Sequence, residues 1–109
     1  MAGVLDGIRV LDFGRFIAGP FAATILGDLG ADVIRIERID GGEDGWSTPV
    51  TSDGQGALFL QVGRNKRSFT LNPMKPEGRE IMNALIETAD VVVANLPPET
   101  RKQMGLDYE

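Results

Sequence analysis

A few residues in this chain have the type and spacing to do chemistry. Gly14 and Gly19 bracket a GRFIAG turn, spaced like the start of a phosphate-cradling loop. Such a loop goes on to Lys and then Ser or Thr, which serve phosphate and magnesium. Here Pro20 and Phe21 follow, so that motif is excluded. Glu37 and Arg38 close the run DVIRIER. An acid at such a strand end can meet a ribose, but without GxGxxG it points only weakly to a dinucleotide. A guanidinium there suits a phosphate or the face of a base. Asn65, Lys66, Arg67 and Ser68 form a compact polar and basic group, either a phosphate contact or a solvated turn before a strand. Asn95 follows three valines and can be a contact or a strand-ending cap. Trp46 can cover a ligand or anchor its own loop.

Other chemistries are absent. The 109 residues contain no histidine and no cysteine. That removes the commonest general base and metal ligand, and with it any Ser-His-Asp or Cys-His catalyst built from these residues. Asp6, Asp12, Asp28 and Asp32 are scattered rather than paired. No nucleophile with an activating base can be identified. The net charge of −5 argues against nucleic acid as a partner. No apolar run approaches the roughly 20 residues of a membrane span. A soluble cytoplasmic protein is the default expectation.

The elements that must position these residues alternate. IRVLDF, residues 8–13, reads as a buried first strand. Pro20 suits the first position of a helix that runs to Gly30, and its residues are apolar on most sides, which predicts deep burial. Val33, Ile34 and Ile36 give a second strand. Residues 39–56 are glycine-rich and read as a long loop, and loops of that length are usually functional or mobile. Residues 57–62 suit a helical turn or two, and 68–71 a short strand. Pro76 opens a helix to about Thr88, with Ile81, Met82, Leu85 and Ile86 as its core stripe. Val91–Val93 is a third buried-type strand, ended by Leu96-Pro97-Pro98, and one helical turn can follow. Such alternation predicts an α/β fold with a parallel sheet and flanking helices. Ligands on such sheets sit beyond the carboxyl ends of the strands. Residues 14–19, 37–40 and 95–98 lie at those ends.

At LDGIRVLDFGRFIAGPFAATILGDLGADVIRIER, NKRSFTLN, PEGREIMNALIETADVVVANLPP and MGLDYE, the sequence closely resembles the family III CoA-transferases. That family includes formyl-CoA transferase, carnitine and bile-acid CoA-transferases, and α-methylacyl-CoA racemase. The resemblance covers nearly the whole chain. It implies a partial Rossmann-like parallel sheet, with residues 1–109 as an N-terminal CoA-binding segment, incomplete relative to the family. It implies acyl-CoA and a carboxylic acid as substrates, no prosthetic group, and an interlocked homodimer. The family's catalytic aspartate, which attacks the thioester and passes through a mixed anhydride, falls beyond residue 109. The segment alone is therefore expected to be inactive. By position, Ile17 and Ala18 match the turn beside the thioester. Several members carry glutamine where Ile17 stands, so a formyl-transferase-like substrate is disfavoured. Arg38 matches a contact near the nucleotide end, and Leu71 and Asn72 match backbone contacts to CoA. Asn95, Leu96 and Pro97 match the loop that meets the pantetheine or diphosphate. The racemase branch, and a non-catalytic nucleotide-binding or interaction module, are the alternative readings.

Overall fold

The computed structural model describes residues 3–39, 52 and 56–107. Four strands, β1 (Arg9–Asp12), β2 (Asp32–Glu37), β3 (Lys66–Thr70) and β4 (Val91–Val93), form one sheet in the order β3-β2-β1-β4. Every neighbouring pair is parallel. Helices α1 (Ala18–Asp28), α2 (Ala57–Val62), α3 (Pro76–Thr88) and α4 (Pro98–Met104) complete the described elements. The chain steps outward from β1 through β2 to β3, then returns to the other side of β1 as β4. The direction of the strand order therefore reverses between β1 and β4. All four carboxyl ends share one edge, and it is at such a reversal that open α/β sheets form a ligand-binding crevice.

The core follows from the two-residue period of the strands. On one face, Val10 and Val33 pack with Ala23 and Ala31 under α1. On the other, Leu11, Phe13, Ile34 and Ile36 pack with Met82 of α3, Leu96 and Met104. Val10, Leu11 and Met82 are all fully buried. Removing such a side chain costs about 2–5 kcal/mol, so the centre of the sheet dominates stability.

Several sequence expectations change here. α1 begins at Ala18 rather than Pro20, which sits in the first turn, where its missing N–H has no intrahelical acceptor to lose. Its buried face is made of small residues: Gly19, Pro20, Ala23 and Thr24. Helix and sheet approach too closely for larger ones. Phe21, Ile25 and Leu29 point outward and are 44–45% exposed, with Ile17 at 50%. At spacing four these form one stripe along α1. In α3, Met82 is core but Ile81 is 46% exposed, so the predicted stripe is narrower than four residues. β4 is an outer strand, which leaves Val91 and Val92 exposed rather than buried. β3 starts at Lys66, two residues before the predicted strand. Trp46 and most of the predicted long loop lie outside the described residues.

An apolar stripe of this length and two outer strands are association liabilities. The 109-residue chain expressed by itself is expected to sediment as concentration-dependent oligomers. Phe21→Glu with Ile25→Glu should shift it toward monomer. Unchanged sedimentation of that double variant would remove the stripe from the explanation.

Candidate functional site

The β1–α1 turn, residues 13–17, is the most constrained segment at the carboxyl edge. Asp12 is fully buried at the end of β1. Its Oδ1 accepts the Gly14 N–H at 2.8 Å. Its Oδ2 lies 2.7 Å from Nζ of Lys66, whose side chain is only 3% exposed. Arg35 stands directly opposite Asp12 in the β1–β2 register and places Nη1 3.3 Å from Oδ1. The two cations also reach the turn itself. Arg35 Nη1 donates to the Gly14 carbonyl. Lys66 Nζ donates to the Pro20 carbonyl at 2.9 Å.

Asn95, two residues past β4, contributes from the other side of β1. Asn95 Oδ1 accepts the Arg15 N–H at 2.7 Å, and its Nδ2 donates to the Arg15 carbonyl at 2.9 Å. The side-chain amide thus imitates a strand ladder. Gly14 and Gly19 let the ends of the turn meet: a Cβ on Gly14 would lie 2.8 Å from Gly19 Cα, and one on Gly19 2.5 Å from Asn95 Oδ1. The GxxxxG spacing is therefore a packing device. Between them Phe16 adopts φ of 62°, an uncommon left-handed conformation for a bulky residue.

The residues singled out from the sequence come to this same edge by different routes. Ile17 and Ala18 are exposed at the start of α1. Arg38 is exposed just past β2. Leu71 continues the β2–β3 pairing, its N–H on the Glu37 carbonyl at 3.0 Å, while its side chain enters the core. Asn72 Oδ1 accepts the Met74 N–H at 3.0 Å, which shapes the turn into α3. Leu96 is buried in the core, and Asn95 and Pro97 flank it at the surface. At Leu71 and Leu96 only the backbone can face a ligand.

The basic group at 64–67 points inward or sideways instead. Arg64 and Asn65 hold Asp28, at 2.8 and 2.9 Å. Lys66 holds Asp12. Arg67 holds Asp32 at 2.7 Å, together with Arg9 at 3.1 Å, at the amino edge of the sheet. The hydrogen bond from Arg64, aided by Asn65, keeps the Asp28 carboxyl below its usual range despite some desolvation. Burial pushes Asp32 up, but hydrogen bonds from Arg67 and Arg9 outweigh it, and its pKa is lowered.

A depressed carboxylate stabilises the fold above its unfolded pKa of about 3.9, and that contribution is lost as pH falls through the lower folded value. Unfolding free energy measured in urea should therefore drop below about pH 4. Asp28→Asn with Asp32→Asn should flatten that drop; an identical acid limb in the double variant would contradict the assignment.

Among the described residues, no group of three or more His, Cys, Asp or Glu side chains could hold a metal. A cavity of about 90 Å³ lies beside the Asp12 network, lined by Pro20, Arg35, Glu37, Val62, Lys66 and Ser68 among others. It is well below the roughly 300 Å³ of a small-molecule pocket. A large ligand would have to lie along the open edge instead. Sequence reasoning missed the Asp12–Arg35–Lys66 network. Its one signal was the placing of Asp12 and Arg35 within two mostly apolar runs, IRVLDF and VIRIE.

Comparison with known proteins identifies the family. The description CoA-transferase family III matches residues 5–109. The chain is 44% identical over 107 residues to mouse succinyl-CoA:glutarate CoA-transferase, covering 96% of itself and 24% of that protein. It is 39% identical over 112 residues to succinate–glutarate CoA-transferase of Agrobacterium fabrum, covering 96% of itself and 28% of the relative. A CAIB/BAIF family protein from Brucella suis superposes with a TM-score of 0.88 at 38% identity, over 99% of this chain and 30% of that one. The chain thus spans about a quarter of the length of the relatives it matches. A putative β-ketoacyl-ACP reductase, at TM-score 0.52 and 16% identity, shares the fold alone. A match across residues 5–109, in a fold that superposes at that level, establishes that this chain belongs to CoA-transferase family III.

Proposed function

We propose that these residues are the CoA-binding, Rossmann-like N-terminal portion of an enzyme that moves CoA from an acyl-CoA donor to a carboxylic acid acceptor. One observation carries the reading: four parallel strands end on a single edge, with a reversal of strand order between β1 and β4. Open α/β sheets bind their ligands at that place. Ile17 and Ala18 border one side of the crevice, and Asn95 to Pro97 the other. Arg38 lies one strand further out, where it would meet the nucleotide end. Leu71 and Asn72 would add backbone contacts. No residue of 1–109 takes the nucleophile's role, so the segment alone holds CoA without transferring it. Relatives named succinyl-CoA:glutarate, succinate–glutarate and formyl-CoA:oxalate CoA-transferase support transfer over racemisation. Cytoplasmic location and a homodimer belong to the same reading.

Calorimetric titration with CoA and with pantetheine tests it. Arg38→Ala should weaken CoA by about tenfold through loss of a charged contact, and leave pantetheine unchanged. Equal weakening of both ligands would misplace the nucleotide end, and no binding of either by the parent protein would reject the reading.

A further inference from the structure

We propose that Asp12, Arg35, Lys66 and Asn95 form one clamp whose role is to hold the 14–20 turn in its ligand-ready shape, which makes them positioning residues. The inference rests on the CoA-binding reading above. Asp12, Arg35 and Lys66 come from β1, β2 and β3, and Asn95 follows β4 by two residues. Together they bond the turn at three places. Gly14 is held through both its N–H and its carbonyl, Arg15 through both of its backbone groups, and Pro20 through its carbonyl.

Stability does not account for this choice. Three charges withdrawn from water gain little over well-packed apolar residues of the same volume. Apolar side chains, however, could not donate to the Gly14 and Pro20 carbonyls, which stand at the two ends of the turn. Phe16 supplies a second, independent observation. A bulky residue held at φ of 62° is a local strain, and such strain persists only where its surroundings over-determine it. A turn fixed beforehand spares a ligand the entropy of ordering it. Ile17 and Ala18, which border the proposed thioester end, stand in the middle of the clamped span. Lys66 itself is too deeply buried to touch a ligand, so any effect it has on affinity must pass through the turn.

The test compares Lys66→Met with Met82→Ala in the full-length enzyme. Met82 projects from α3 into the core and makes none of the hydrogen bonds that hold the turn, so its loss destabilises through packing. Two quantities are read below the melting temperature of both variants: the Kd for CoA, and hydrogen exchange at the Arg15 amide in the free protein. Lys66→Met is expected to weaken CoA about tenfold and to speed exchange at Arg15. Met82→Ala is expected to leave both within about twofold, since it removes packing alone. Equal effects from the two variants would overturn the clamp. If Lys66→Met does not fold, Arg35→Lys replaces it. That change keeps a charge near Asp12 but, on a shorter stem, withdraws the single Nη1 position that serves both Asp12 and the Gly14 carbonyl, and an unchanged Kd and Arg15 exchange would again overturn the proposal. If the parent enzyme does not bind CoA, the CoA reading fails, and Arg15 exchange alone still decides whether the clamp exists.

Discussion

Asp12→Ala is expected to lower the free energy of unfolding by about 3–5 kcal/mol, the cost of leaving buried charge without its partner. The carboxylate is fully buried and touches both Lys66 and Arg35. Without it, the Lys66 ammonium is left in a nearly inaccessible site beside the Pro20 carbonyl. The Gly14 N–H also loses its acceptor. Domains of this size hold only about 5–15 kcal/mol in total, so the variant should be close to unfolding at ordinary temperature. Urea denaturation of parent and variant reads the difference directly. A loss below about 1 kcal/mol would mean that the charges are solvated rather than buried. The triple change Asp12→Leu, Arg35→Met and Lys66→Met should recover much of that stability, because apolar packing then replaces all three charges. It should not recover CoA affinity, since the turn would lose Arg35 from the Gly14 carbonyl and Lys66 from the Pro20 carbonyl.

The second large effect is expected at Gly78. This glycine lies in the first turns of α3, where the helix backbone meets the loop leaving β3. A Cβ there would run into the carbonyl oxygen of Asn72, a backbone atom that cannot swing aside. Gly78→Ala should therefore cost about 3 kcal/mol, the upper range for overpacking, even though alanine favours a helix. The clash also pushes Asn72 from the carboxyl edge, so CoA affinity should fall with stability. Gly7→Ala is the contrasting case. Its φ of 89° is strained for alanine, but nothing lies within 4 Å of the added carbon. It should cost about 1–2 kcal/mol and leave affinity unchanged. Thermal melts of the two variants, each with a CoA titration, separate these outcomes. Gly78→Ala as stable as the parent would mean that α3 can slide on the sheet.

Period and punctuation made much of this architecture readable beforehand. Apolar runs near 8–13, 33–37 and 91–93 became strands, and Pro76 opened a helix, because local preference and tertiary burial agree at those positions. α1 was harder. Its apolar residues surround the axis, so periodicity cannot tell which side meets the sheet. The answer is the small side, because close helix–sheet approach around Gly19 and Ala23 excludes Phe21 and Ile25. The exposure of Val91 and Val92 was equally hidden, since three valines in a row do not say whether a strand is central or outermost.

The site was readable as a set of strand ends but not as a set of roles. Asn95 lies at the carboxyl edge, yet nothing in its local sequence tells that its amide would grip Arg15, 80 positions away. Lys66 and Arg67 read alike, as a phosphate contact or part of a solvated turn. Neighbours on a strand face opposite ways, so one became buried against Asp12 and the other joined Asp32 at the far edge.

The central claim is that CoA lies across the carboxyl edge of this sheet. Backbone amide spectra of the isotopically labelled protein, recorded as CoA is added, test it most directly. The account predicts shifts that saturate together at residues 14–18, 38, 71–72 and 95–97, with little change around Arg9, Asp32 and Thr88 at the opposite edge. Saturating shifts centred on Arg9, Asp32 and Thr88, or none at all, would contradict it.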